Sequence, residues 1–208
     1  MGYYKVTSGP STPILTTSEA KNYLKLDTSA DDTLIDDLVL AATNFCEEYL
    51  GQKFITQTVS EVFDKVPKPK ITDLFPTLYL TMHPVQSVTS IVYTDTSEVE
   101  QTWNSSLYKV DLHRKAARIT PAYGEVFPDI LAEINSLTVT YVVGYGDAAS
   151  DVPAAIRQAV RLVLSDMYHN RSDYAKEKYS ASQSLLDRLN YNLFVGISSG
   201  RRTRYLVE

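Results

Sequence analysis

The chain has 208 residues, 44% of them hydrophobic and 22% charged, with a formal net charge of -5, a balance that excludes general disorder and gives ample length for a real core in one large or two small domains. Its acidity argues against a protein whose main task is to grip nucleic acid, because that affinity comes largely from Lys and Arg displacing counterions. A single cysteine, Cys46, excludes an internal disulfide; no apolar run reaches the roughly 18 residues of a membrane span, and MGYYKVTSGPSTP lacks a signal-peptide core, so no membrane partner is expected.

Residues 1–15 carry Gly2, Gly9, Pro10 and Pro13 without periodicity and read as an extended N-terminal arm. Thr16 followed by Glu19 matches a capping box and opens a short helix to about Leu26. Ser29 is a candidate cap for a second helix. Leu34, Ile35, Leu38, Ala41, Ala42, Phe45 and Tyr49 then recur at helical spacing until Gly51 ends it, with Cys46 beside the stripe as a small buried hydrophobe. Asp36, Asp37, Glu47 and Glu48 fall mostly outside that stripe, as a solvated face would.

From Lys53 the period becomes two. Ile55, Val59 and Phe63 alternate with polar residues, as do Leu78, Leu80 and Met82, then Ile91 and Tyr93, then Tyr108, Val110 and Leu112, then Leu137, Val139, Tyr141 and Val143. Two stretches between them, VPKPKITDLFP (66–76) and PAYGEVFPD (121–129), hold too much proline for central strands and read as projecting loops. After the turn GYGDAAS, Ile156, Ala159, Val160, Val163, Leu164, Met167 and Tyr168 form one helical stripe, with Pro153 in the first turn and Asp151 as the expected cap. A last helix over 182–194 carries Leu185, Leu186, Leu189 and Leu193, and 195–208 is an Arg-rich C-terminal arm. The order predicts an α+β protein: a domain over 16–194 in which terminal helices (16–51 and 151–194) pack together as a bundle, with a β-rich antiparallel middle region (53–143) as an insertion or second layer.

Chemistry is sparse in this pattern. VVGYGD (142–147) has the letters of an ion filter but follows an alternating strand, so it reads as a turn; no Gly-Lys-Ser/Thr makes it a phosphate loop. His83, His113 and His169 belong to no metal-ligand spacing. Asp166 and His169 share a helix face, yet no nucleophile motif accompanies them, and a solvated pair is the simpler reading. No catalytic, cofactor or metal residue is assigned. Arg157 and Arg161, one turn apart on the polar face, are either solvated or in contact with a neighbouring subunit or nucleic acid, and the Arg-rich tail invites the same two readings. Fifteen tyrosines against six phenylalanines fit either a strand-rich segment or protein interfaces.

Three blocks taken together carry a resemblance: TTSEAKNYLKLDTSADDTLIDDLVLAATNFCEEYLGQKFITQT (16–58), DLHRKAARITPAYGEVFPD (111–129) and YVVGYGDAASDVPAAIRQAVRLVLSDMYHNR (141–171). In order and spacing the chain resembles the head-tail connector, or head-completion adaptor, proteins of long-tailed bacteriophages, over roughly 16–171. The resemblance implies a homo-oligomeric ring, expected to be a dodecamer, assembled in the host cytoplasm and sitting in the virion at the head-tail interface. The portal protein would lie on one side and a tail-completion or tail protein on the other, with double-stranded DNA passing through without sequence-specific binding. In that frame Arg157, Arg161, Arg171, Arg201, Arg202, Arg204 and Tyr205 are candidate inter-subunit or portal contacts, and Lys68, Lys70, Phe75, Tyr123 and Phe127 candidate projecting-loop contacts. The alternative is a DNA-binding packaging factor that uses the same arginines.

Overall fold

A computed structural model describes residues 3–67, 76–114, 116–170 and 181–194, with backbone only for 191–194. The chain divides into two compact units: residues 1–14 with 51–152, and residues 15–50 with 153–208. The fold is α+β, and each unit has its own logic.

The first unit is all antiparallel sheet. β1 (Tyr3–Ser8), β2 (Gln57–Phe63), β4 (Val85–Thr94), β5 (Glu100–Thr102) and β8 (Leu137–Val143) form a five-stranded sheet in the order β1-β2-β8-β4-β5; β3 (Leu78–Tyr79), β6 (Tyr108–Asp111) and β7 (Arg118–Pro121) form a second, in the order β3-β7-β6. The central strand is β8, where Leu137, Val139, Tyr141 and Val143 are buried and the intervening residues half-buried, as its period of two demands. Val59, Ile91, Val139 and Tyr141 share one core with Leu78 and Ile119 of the smaller sheet, closed by Trp103 and Phe127.

Residues 3–8, expected as part of an extended arm, are instead the edge strand β1, in register with β2 from Tyr3 opposite Val62 to Val6 opposite Val59. None of its side chains is fully buried, so its sequence carries too weak an alternation to be read as a strand; main-chain pairing with β2 decides it. The turn after β8 needs its glycine. Gly144 has φ +124°, and a Cβ there would lie 2.7 Å from the backbone of Ile55 and Thr56. Its N–H donates to the Pro84 carbonyl at 2.9 Å and its carbonyl accepts from the Gln86 side chain at 2.9 Å.

The second unit is helical: α1 (Thr17–Leu24), α2 (Asp32–Leu50), α3 (Ala154–His169) and α4 (Ala181–Phe194) pack as a bundle, α3 meeting α1, α2 and α4. The capping box forms as expected, with Glu19 N–H donating to Thr16 Oγ1 at 3.2 Å and Thr16 N–H donating to Glu19 Oε2 at 2.9 Å. The first helix stops two residues early, at Leu24, because Lys25 turns left-handed at φ 57°. Ser29 does not cap α2 with its side chain; its carbonyl accepts the Asp32 N–H at 3.4 Å, and the Asp31 carbonyl accepts the first helical bond from Ile35. Asp151 likewise leaves α3 uncapped. It closes a short 3-10 turn, Ala149–Asp151, by accepting the Ala148 N–H at 3.1 Å, and Pro153 stands at the helix start.

The buried stripe of α2 is Ile35, Val39, Ala42, Cys46 and Leu50, rotated by about one residue from the expected one. Cys46 sits in its middle and Leu34, Ala41 and Tyr49 face outward; Glu47, expected on the solvated side, is buried. On α3 the expected stripe holds from Ile156 to Leu164, with Met167 and Tyr168 half-buried.

Candidate interaction surfaces

Two arginines anchor the outward side of α3. Arg157 and Arg161 are both half-buried, with the Glu19 carboxylate of α1 close enough for each to help hold it below the ordinary carboxyl range; the main cause there is its bonds to Thr16. Arg157 Nε is enclosed and has no hydrogen-bond partner. Beyond these residues α3 is tied into its own unit: Tyr168 donates to Asp31 at 2.8 Å, and Asp166 accepts from Ser182 at 2.9 Å. Asp166 is thereby turned toward α4, while the exposed His169 ring makes an edge contact with Tyr168, centroids 5.4 Å apart.

The α2 terminus is closed by two bonds with α4. Tyr49 donates its hydroxyl to Asp187, and Asn190 reaches the Tyr49 carbonyl at 3.5 Å. The Asp187 bond, with partial burial, pushes the Tyr49 phenol up to about 12. Cys46 is fully enclosed, and burial, with Glu47 beside it, raises its thiol to about 12; it is packing, not a nucleophile.

In the sheet unit, the two described projecting-loop residues part company. Tyr123, at the apex of a turn closed by Glu125 N–H on the Ala122 carbonyl at 3.0 Å, is fully exposed. Phe127 is buried, its ring 5.2 Å from Trp103. It was expected outward because of its proline-rich surroundings, but Trp103 offers it an aromatic neighbour across the core, and a Phe ring gains roughly 1.5–3 kcal/mol by leaving water. Lys68, Lys70, Phe75, Arg171, Arg201, Arg202, Arg204 and Tyr205 lie outside the described residues.

A buried polar knot, which no sequence motif marks, lies within the sheet unit. Glu61 on β2 is fully enclosed and accepts from the Tyr141 hydroxyl at 2.7 Å, from the Thr81 N–H at 3.0 Å and from the Thr81 hydroxyl. The Tyr141 hydroxyl in turn accepts the Met82 N–H at 3.3 Å. Burial first, and Glu61 second, hold the Tyr141 phenol far above its ordinary value. A glutamate at an inward position of an alternating strand was the available signal. Among the described residues no group of three or more His, Cys, Asp or Glu gathers as a metal site, and no helix is long and apolar enough to cross a membrane.

The described residues thus form one unit of two antiparallel sheets and one unit of packed helices. The chain belongs to the head completion protein family, whose model matches residues 13–185. No curated protein matches it. Among solved structures, it is similar to a chain in the neck of an empty gene transfer agent (GTA) particle computed with C6 symmetry, with TM-score 0.73 and 18% identity over 89% of this chain and 94% of that one. A chain in the virion of a native GTA particle matches with TM-score 0.69 and 19% identity over 89% and 93%. A third, in the neck of a native GTA particle computed with C12 symmetry, gives 0.66 and 19% over the same shares. At such identities the likeness is one of fold.

Proposed function

We propose that the chain is a structural head-tail adaptor, without a catalytic step of its own, that forms a ring under the portal vertex and bridges the DNA-filled capsid to the tail. The family match over 13–185 carries this reading; the likeness to neck chains from particles computed with C6 and C12 symmetry supports the ring, and the second supports a dodecamer. Ring closure by identical copies requires heterologous contacts, one face of a protomer meeting a different face of the next. Arg157 and Arg161, with Arg171, Arg201, Arg202, Arg204 and Tyr205 outside the described residues, are assigned to neighbouring subunits or the portal; Tyr123 is assigned, with Lys68, Lys70 and Phe75, to contacts of the projecting loops. A net charge of -5 per copy suits a channel that lets double-stranded DNA slide, because the excess of carboxylates opposes a tight hold on its phosphates.

The test is to mix the purified chain with portal-bearing, DNA-filled, tailless heads and image the vertex. A ring of density below the portal is expected. A bare vertex, or steeply salt-dependent DNA binding by the isolated chain, would replace the adaptor with a packaging factor. Alanine at both Asp166 and His169 is expected to leave assembly intact.

A further inference from the structure

The five-stranded sheet ends in two open edges, β1 on one side and β5 on the other. At β5 the Asp95 N–H donates to the Val99 carbonyl at 2.9 Å and the Trp103 N–H to the Ile91 carbonyl at 2.8 Å. Residues 99, 101 and 103 therefore turn their main-chain groups toward β4, and Glu100 and Thr102 turn theirs outward. Among the described residues no hydrogen bond engages those outward groups or the outer side of β1. An edge left open in this way is a template for another strand.

The two edges are complementary. Tyr4 and Val6 pack on the core, so Lys5, opposite Ser60, lies on the outer face of the sheet. Ile91 and Tyr93 pack on the core too, so Thr94 and its partner Glu100 lie on that same outer face. Lys5 and Glu100 are exposed, and neither has an ion pair among the described residues. Exposed Glu98 adds to the negative side, while exposed Asp64 and Lys65, just after β2, are of opposite sign. Every neighbouring pair of strands is antiparallel, so β1, β8 and β5 run in one direction. A small rotation from one copy to the next keeps that direction and sets β5 beside β1 as a parallel strand.

We propose that the outer edge of β5 in one copy joins the outer edge of β1 in the next, so that the sheet continues from copy to copy around the ring with Glu100 facing Lys5. The inference rests on the ring reading and names one of its contacts. A second copy is favoured over a different protein because this chain carries both halves of the join. It has two unlike open edges, opposite charges on one face and a common strand direction, and a ring of identical copies closes only when unlike surfaces meet. Tyr3, Val62, Thr138, Val92 and Thr102 share one row. Lys5 and Glu100 lie two residues to either side of it, so the join carries a stagger of four residues, as tilted strands do when a sheet closes on itself. β5 has only three residues and β1 bulges after Val6, which keeps the join short and lets it close where other contacts already hold the copies together.

Glu100→Cys provides the test, since the native thiol at Cys46 is enclosed and leaves a maleimide-benzophenone label to the new site. Labelled chain is mixed with parent, assembled on portal-bearing, DNA-filled, tailless heads and illuminated. Within one copy β1 lies four strand spacings away, about 19 Å, beyond the reach of the label. The expected product is a dimer on a denaturing gel, with position 100 joined to residues 3–8 of another copy. Thr102→Pro removes an outward N–H at an edge position that tolerates proline; it is expected to keep the parent's urea midpoint and to lower occupancy of heads about tenfold, the size of one lost hydrogen bond. Lys5→Glu is expected to lower occupancy about threefold, and Lys5→Glu with Glu100→Lys to restore it. Cross-links to another segment of a second copy, to a different protein or to DNA, or none while labelled chain is on heads, would overturn the join and leave the adaptor standing. Absence of the parent itself from heads would overturn both.

Discussion

Tyr141 donates its hydroxyl to Glu61 at 2.7 Å in the middle of the five-stranded sheet, pinning β8 to β2 through side chains as well as through the ladder between them. Thr81 binds the same carboxyl group, so one enclosed residue ties β8, β2 and the chain after β3 together. Tyr141→Phe removes a donor from Glu61 and the acceptor of the Met82 N–H, leaving polar groups unpaired away from water. The expected loss is about 1–3 kcal/mol in urea unfolding. An unchanged midpoint would mean that water replaces the hydroxyl.

Phe127 and Tyr123, four residues apart, are expected to behave oppositely. Phe127→Ala empties a site against Trp103 and should cost about 3–5 kcal/mol. Tyr123→Ala removes a fully exposed ring and should shift stability by less than about 0.5 kcal/mol, though it is expected to weaken assembly if the projecting loop makes contacts. Equal thermal shifts for the two variants would contradict the inward placement of Phe127.

Gly144→Ala is expected to destabilise by about 2–4 kcal/mol. The new methyl would meet the Ile55 and Thr56 backbone at 2.7 Å, with φ at +124°, and no flexible side chain is there to yield. Gly9→Ala, where a Cβ meets nothing within 4 Å, is the control.

The Glu19 cap predicts a pH dependence. Its carboxyl value is lowered in the folded state, first by the Thr16 N–H and then by the Thr16 hydroxyl. The unfolded chain therefore binds a proton more readily, and the stabilisation is present above the ordinary value of 4.5 and lost as pH falls through the folded one. Thr16→Ala, which keeps the N–H, should cost about 1 kcal/mol at neutral pH, whereas the Glu19→Gln variant removes the titrating carboxyl and should flatten that part of the acid limb. Parallel acid limbs for variant and parent would sink the assignment.

Cys46 is expected not to react with a charged disulfide reagent near pH 8 in the folded protein and to react fully once denatured, because burial raises the thiol to about 12. Rapid native labelling would show that the helical unit opens.

Where one residue type had one physical use, the sequence alone determined the outcome. Thr16 and Glu19 define a cap through neighbouring atoms, Gly51 and Gly144 permit positive φ, and Leu137 to Val143 alternate because one face of a central strand is dry. These are local matters of covalent geometry and period. Only the tertiary structure decided which aromatic ring of 121–129 turned inward, which face of α2 was buried, and that residues 3–8 would pair with β2. Each depends on a partner distant in the chain: Trp103 for Phe127, the surrounding helices for Cys46, the open edge of β2 for β1. Glu61 shows the same division most sharply, since a lone carboxyl on a strand becomes intelligible only when Thr81 and Tyr141 arrive to donate to it.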